Sequence, residues 1–92
     1  MLRISELTEN GVGPMTLRLE GHVTGPWVGE LLRVCTERLG HRRALILDLA
    51  GVAFLDSDGI ALFGDLAARH VVFRNASPFI AEQLRGVADV ER

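Results

Sequence analysis

The stretch LILDLAGVAFLDSDGI, Leu45 to Ile60, passes from an unbroken apolar run through two acids and a hydroxyl into a helical pattern. Ala44 to Leu49 does not alternate, which predicts a central strand buried on both faces. Gly51 is expected to break that strand, with Val52 to Leu55 continuing apolar. After Asp56-Ser57-Asp58-Gly59, the residues Ile60, Phe63, Leu66 and Ala67 recur at helical spacing as far as Arg69 and His70. A strand that hands over to a helix through a polar turn is the repeating unit of α/β architecture.

Working outward, Leu2 to Leu7 alternates Leu2 and Ile4 against Arg3 and Ser5. Met15 to Val23 alternates again, with Met15, Leu17, Leu19 and Val23 opposite Thr16, Arg18, Glu20 and His22. The dense turn Glu9-Asn10-Gly11-Val12-Gly13-Pro14 between them predicts an antiparallel pair with one wet face. Pro26 fits the first position of a helix whose stripe is Val28, Leu31, Leu32, Cys35 and Leu39, and Gly40 fits its end. Trp27, at its first turn, is expected at the edge of the core. Val71-Val72-Phe73 reads as a further buried strand, and Ser77-Pro78 opens a last helix with Ile80, Leu84 and Val87 inward. The tail from Asp89 reads as polar. The expected fold is thus α/β: a small mixed sheet, an opening hairpin followed by parallel strands, with helices mainly on one face.

The 92 residues fit one domain, and 48% hydrophobic with 24% charged residues is an ordinary globular balance. A net charge of −2 argues against nucleic acid as partner. All ten basic residues are arginines, which removes Schiff-base chemistry and lysine phosphate clamps. The single cysteine, Cys35, reads as a core thiol in a reducing compartment. No apolar run approaches the ~20 residues that span a bilayer, so no membrane insertion and a cytoplasmic location are expected. His22, His41 and His70 lack the convergent ligands of a metal site, and neither metal nor cofactor is expected.

Asp56-Ser57-Asp58-Gly59 admits three chemistries. Asp-x-Asp-Gly after an apolar strand resembles the nucleophile motif of Mg²⁺-dependent haloacid-dehalogenase-type phosphohydrolases, with Asp56 attacking phosphorus and Asp58 moving the proton. That reaction also needs a phosphoryl-clamping cation and distal carboxylates, and the chain has no lysine and few acids beyond Gly59. A calcium loop with Gly59 as its sixth residue would begin at Phe54, which cannot ligate. A helix cap needs only what is present: Asp56 or Ser57 accepting from backbone N–H groups, and Asp58 meeting the positive end of the helix dipole.

The same residues, from Leu45 to Ile60, resemble the signature of the STAS family, which includes anti-sigma-factor antagonists and the cytoplasmic domains of sulphate transporters. Leu17 to Val23 is similar to that family's second strand, and Ser77-Pro78-Phe79-Ile80 to the start of its third helix. The resemblance spans about Leu17 to Leu84. It implies a STAS-like mixed sheet within a single domain, residues 1–92, that lacks the family's last strand and helix. It also implies a non-catalytic, protein-binding role with an anti-sigma factor or related kinase-type protein as partner. The alternative it implies is a subunit or regulatory module of a membrane transporter. In the family the kinase phosphorylates the serine just before the motif glycine. Here that position is Asp58, and Ser57 lies one residue earlier, turned by about 100° on a helix. The expected partner-binding residues are Asp56, Ser57, Asp58, Gly59 and Leu62. Leu62 is included because it falls off the Ile60, Phe63 and Ala67 stripe and should lie at the surface.

Overall fold

A computed structural model describes residues 1–7, 13–40 and 44–91. Thr8 to Val12, which hold most of the predicted turn, and His41 lie outside the described residues. The elements run β1 (Leu2–Glu6), β2 (Met15–Val23), α1 (Pro26–Leu39), β3 (Leu45–Leu55), α2 (Ser57–Ala68), β4 (Val72–Arg74), α3 (Pro78–Gln83) and β5 (Val90–Glu91). The five strands form one sheet in the order β1-β2-β3-β4-β5. The first pair is antiparallel and the others are parallel.

That order positions the helices. Each parallel step advances one strand in the same direction, and right-handed crossovers then place α1, α2 and α3 on a single face. Burial follows suit: Met15, Leu17, Leu19 and Val23 of β2 are buried, while Arg18 and His22 between them are exposed. One core cluster joins Leu17, Leu19, Leu45, Leu47 and Leu49 of the sheet to Leu31 and Cys35 of α1, Phe63 and Leu66 of α2, and Ile80 of α3 with Leu84 just past its end. At its centre the rings of Phe63 and Phe73 stack with centroids 5.1 Å apart. The mixed sheet with one-sided helices is the architecture expected from the sequence.

Several local expectations are corrected. Gly51 does not break β3, which runs unbroken from Leu45 to Leu55. Instead, the register against β2 shifts between Arg18 and Glu20 and again between Gly21 and His22, each time leaving an extra residue on β3. A Cβ at Gly51 would lie 2.7 Å from Glu20 Cγ and 3.1 Å from the Leu19 carbonyl oxygen, so glycine lets the two strands approach. Nor is β3 buried on both faces throughout. Ile46 is buried on the helix-free side, but Asp48 is half-buried and Ala50 exposed.

On α1 the stripe is rotated from the one expected: Leu31 and Cys35 are buried, Val34 packs against the core, and Leu32 is exposed. Trp27 lies beside Leu2, Ile4 and Val34 but is more open than a core-edge residue, at 36% exposure. Val87 is exposed rather than inward, because α3 ends at Gln83. Val71 precedes β4, and Phe73 is the strand's one fully buried residue. A final strand is present where a polar tail was read. Val90 and Glu91 pair with Phe73 and Arg74.

Candidate functional site

The end of β3 and the start of α2 meet at Asp56, which is the N-cap of α2 in an extended conformation. Its Oδ1 accepts from the Gly59 N–H at 2.7 Å, as a capping aspartate does. Its Oδ2 accepts from the Gly25 N–H at 2.9 Å, and Gly25 is the N-cap of α1. One carboxylate therefore ties together two helix N-termini 31 residues apart in sequence. The N–H of Gly25, then that of Gly59, hold the Asp56 carboxyl below the usual carboxylate range. With both oxygens engaged by backbone donors, Asp56 is poorly placed to attack phosphorus or hold Mg²⁺. Among the described residues no three His, Cys, Asp or Glu side chains converge on a possible metal position.

Gly59 is buried because α2 starts against the end of β2. A Cβ there would lie 2.5 Å from the Val23 carbonyl oxygen. Its partner in this junction is a 3.3 Å hydrogen bond from the Asp56 N–H to the same Val23 oxygen. From below, the Gln83 side chain donates to the Leu55 carbonyl at 3.0 Å and accepts from its N–H at 3.4 Å, completing the end of β3 like a further strand. The turn is thus fixed on three sides, and what it presents outward is Ser57 and Asp58, both exposed in the first turn of α2.

Leu62 is corrected. It is only 6% exposed and belongs to the core cluster, because α2 is covered on a second side by α1 as well as by the sheet. The exposed leucine near this helix start is Leu32 of α1, at 37%. Leu32 and Asp58 line a groove of about 770 Å³ between α1 and α2, whose walls include Gly25 and Gly29 on one side and Ala61, Asp65 and Ala68 on the other. These wall residues lie outside the motif and were not among the expected site residues. Their signal is matched spacing: Gly25, Gly29 and Leu32 follow i, i+4, i+7, and so do Ala61, Asp65 and Ala68. On the other flank, Phe54 and Phe79 stack at 6.4 Å while remaining 43% and 55% exposed. Cys35 is fully buried, and burial pushes its thiol up to about 12, so it carries no nucleophile.

Among solved structures the chain is similar to that of SpoIIAA, an anti-sigma factor antagonist, in its unphosphorylated form. The TM-score is 0.74 at 16% sequence identity, over 100% of this chain and 86% of that one. Neither a protein-family model nor a curated protein sequence matches the chain. At this identity the likeness establishes a shared fold. No helix among the described residues is long and apolar enough to cross a membrane.

Proposed function

We propose that this chain is a non-catalytic regulatory domain that acts as an anti-sigma factor antagonist, binding a kinase-type anti-sigma factor through the start of α2. The fold it shares with one such antagonist supports the class of function. The observation that carries the choice of surface is the division of labour within Asp56-Ser57-Asp58-Gly59. Asp56 and Gly59 are consumed by architecture, while Ser57 and Asp58 stand exposed on a turn fixed from three sides. A rigid, polar, outward-facing helix start is a preorganised contact, which lowers the ordering cost of binding.

On this reading Asp58 supplies a permanent single negative charge at the position where the resemblance implies a phospho-acceptor. A phosphate would carry about −1.5 to −2. The partner then matches Asp58 with a cation, and Leu32 with the groove beside it takes the apolar role first assigned to Leu62.

Calorimetric titration against the purified anti-sigma factor tests the proposal. Asp58→Arg should weaken binding by about 1–3 kcal/mol through like-charge contact and lost pairing. Its thermal midpoint should fall by only a few degrees, because Asp58 is exposed and the change costs the α2 N-terminus no more than its favourable charge. Leu32→Glu should weaken binding independently. Unaltered affinity in both variants would place the interface elsewhere. Mass spectrometry after incubation with the kinase and ATP should find no stoichiometric phosphate on Ser57.

A further inference from the structure

The sheet ends on one side at β1, and no described residue pairs with its outer edge. The ladder with β2 fixes which backbone groups face out. Met1 accepts from His22 N–H at 2.9 Å and Leu7 donates to the Thr16 carbonyl at 2.8 Å, so odd-numbered residues of β1 bond inward. The N–H and C=O groups of Leu2, Ile4 and Glu6 therefore point away from the sheet. Natural edge strands are usually blunted by charged side chains, proline, a bulge or a covering element. Leu2–Glu6 has no proline and no register shift against β2, and of its two charged residues, Arg3 and Glu6, the second already faces Arg38.

A cleft of about 330 Å³ lies along this edge, between β1 and α1. Its two ends differ. Near Leu2 stands Trp27, partly exposed, and near Glu6 stands Arg38. The Arg38 guanidinium is poorly satisfied: its contacts with Glu6 and Glu37 are long, at 3.8 and 3.9 Å, and its Nε is buried without a hydrogen-bond partner.

We propose that the β1 edge is a homotypic interface, on which a second copy of this chain pairs antiparallel through its own β1 with Ile4 on the two-fold axis. That register sets Leu2 opposite Glu6, Ile4 opposite Ile4 and Arg3 opposite Ser5. Every outward-pointing residue then meets another, so each of the six N–H groups of the two edges finds a carbonyl. Any shift of the axis by one residue would place Arg3 opposite Arg3 or lose bonded pairs. A foreign extended peptide would satisfy the backbone equally well, but the ends of the cleft favour self-pairing. The two-fold brings Trp27 of one copy beside Arg38 of the other, across adjoining strands about 4.8 Å apart. An under-satisfied guanidinium then lies against an open indole face, a cation–π arrangement.

The product is a ten-stranded sheet with all six helices on one face, closed by an isologous contact. Because the axis stands normal to the sheet, the two α2 starts point in opposite directions at the far ends of the strands. Both remain free, so the dimer would be bivalent.

Sedimentation equilibrium from micromolar to near-millimolar protein should show the mass rising from 10.1 kDa toward twice that value. Ile4→Pro removes an outward N–H without touching the β2 ladder, and Trp27→Ala removes the indole. Each should restore the monomer mass with an unchanged circular dichroism spectrum. Register is read separately by cysteines on the exposed face. An equimolar mixture of Arg3→Cys and Ser5→Cys chains should cross-link under mild oxidation, because a non-hydrogen-bonded antiparallel pair has Cα atoms about 4.5 Å apart. Either variant alone should link at least several-fold more slowly, since its cysteines are diagonal at about 7–8 Å. The native Cys35 is buried and stays silent. Cross-linking by the mixture supports the proposal even if Ile4→Pro disturbs folding. A monomer at every concentration, or a dimer whose cysteines link without preference for the mixed pair, overturns it.

Discussion

Two glycine-to-alanine substitutions that look equivalent in the sequence should move stability in opposite directions. Gly29 is exposed at the end of the first turn of α1, and a Cβ there would have nothing within 4 Å. Alanine at that position gains the helix-propensity difference of about 1 kcal/mol with no opposing term. Gly59 is also helical, so Gly59→Ala gains something of the same kind. Its Cβ, however, would sit 2.5 Å from the Val23 carbonyl oxygen and 3.3 Å from Asp56 Oδ1. Ordinary contact requires α2 to retreat by about 1 Å from a backbone atom, which cannot rotate aside. Forced overpacking of this sort costs about 1–3 kcal/mol. The retreat also lengthens the Gly59 N–H bond to the Asp56 carboxylate that caps the helix.

The expected balance is a gain of about 1 kcal/mol for Gly29→Ala and a loss of about 1–2 kcal/mol for Gly59→Ala. At about 4–8 °C per kcal/mol for a domain of this size, the two midpoints should differ by roughly 8–24 °C. Thermal and urea unfolding of the parent and both variants, followed by circular dichroism, measures this directly. Gly59→Ala at or above the parent's stability would refute the packing of α2 on the Val23 carbonyl, and with it the structural account of the motif glycine.

Three further outcomes are expected. The Asp56 carboxyl is held below its ordinary value by the Gly25 and Gly59 N–H groups, so its contribution is present above the unfolded-state pKa of about 3.9 and is lost as pH falls through the lower folded value. Midpoints measured from neutral pH downward should show Asp56→Asn less stable than the parent, with the gap closing only below about pH 3.9; a gap independent of pH would disprove the carboxylate's role. Cys35 should react with a thiol reagent only at the rate of unfolding, being buried with its thiol pushed up to about 12, and labelling faster than unfolding would show the α1 face open. Phe63→Ala removes one ring of the central stack and should cost about 3–5 kcal/mol, enough to leave much of so small a domain unfolded, which near-ultraviolet circular dichroism would register.

What was legible in the sequence was whatever a local rule could carry. Ser77-Pro78 announced α3, and Ser77 Oγ does accept from the Ile80 N–H at 3.3 Å. Alternation in β2 and the Pro26 start of α1 were equally local. Apart from Val87, lost with the early end of α3, the principal misreadings involve a neighbour distant in sequence. Gly51 looked like a break because glycine usually ends strands, whereas here it admits the backbone of β2. Leu62 looked exposed because a single stripe was assumed for α2, whereas burial on two sides also takes in Gly59 and Leu62. Leu32 failed in the mirror-image way. The wheel grouped it with Leu31 and Cys35, but it points along the groove rather than into the sheet. Val90–Glu91 is too short to show any period, and only pairing with β4 makes it a strand.

The candidate site was visible as a motif but not as two functions sharing one motif. Taken as a string, Asp56-Ser57-Asp58-Gly59 invites one role for all four residues. In the structure, Asp56 spans from Gly25 to Gly59 and sets the angle at which two helices leave the sheet, and Gly59 makes room for that junction. Both act on folding before they can act on any partner. Ser57 and Asp58 are exposed in the first turn of α2, where a substitution acts mainly on the surface. Loss of binding in a variant of Asp56 or Gly59 therefore says nothing about contact until its stability has been measured. Loss of binding in Asp58→Arg at unchanged stability is the informative result. The same separation explains how position 58 can hold an acid without disturbing the fold. The scaffold is built from the residues on either side, so the exposed position is left to be set by what it meets.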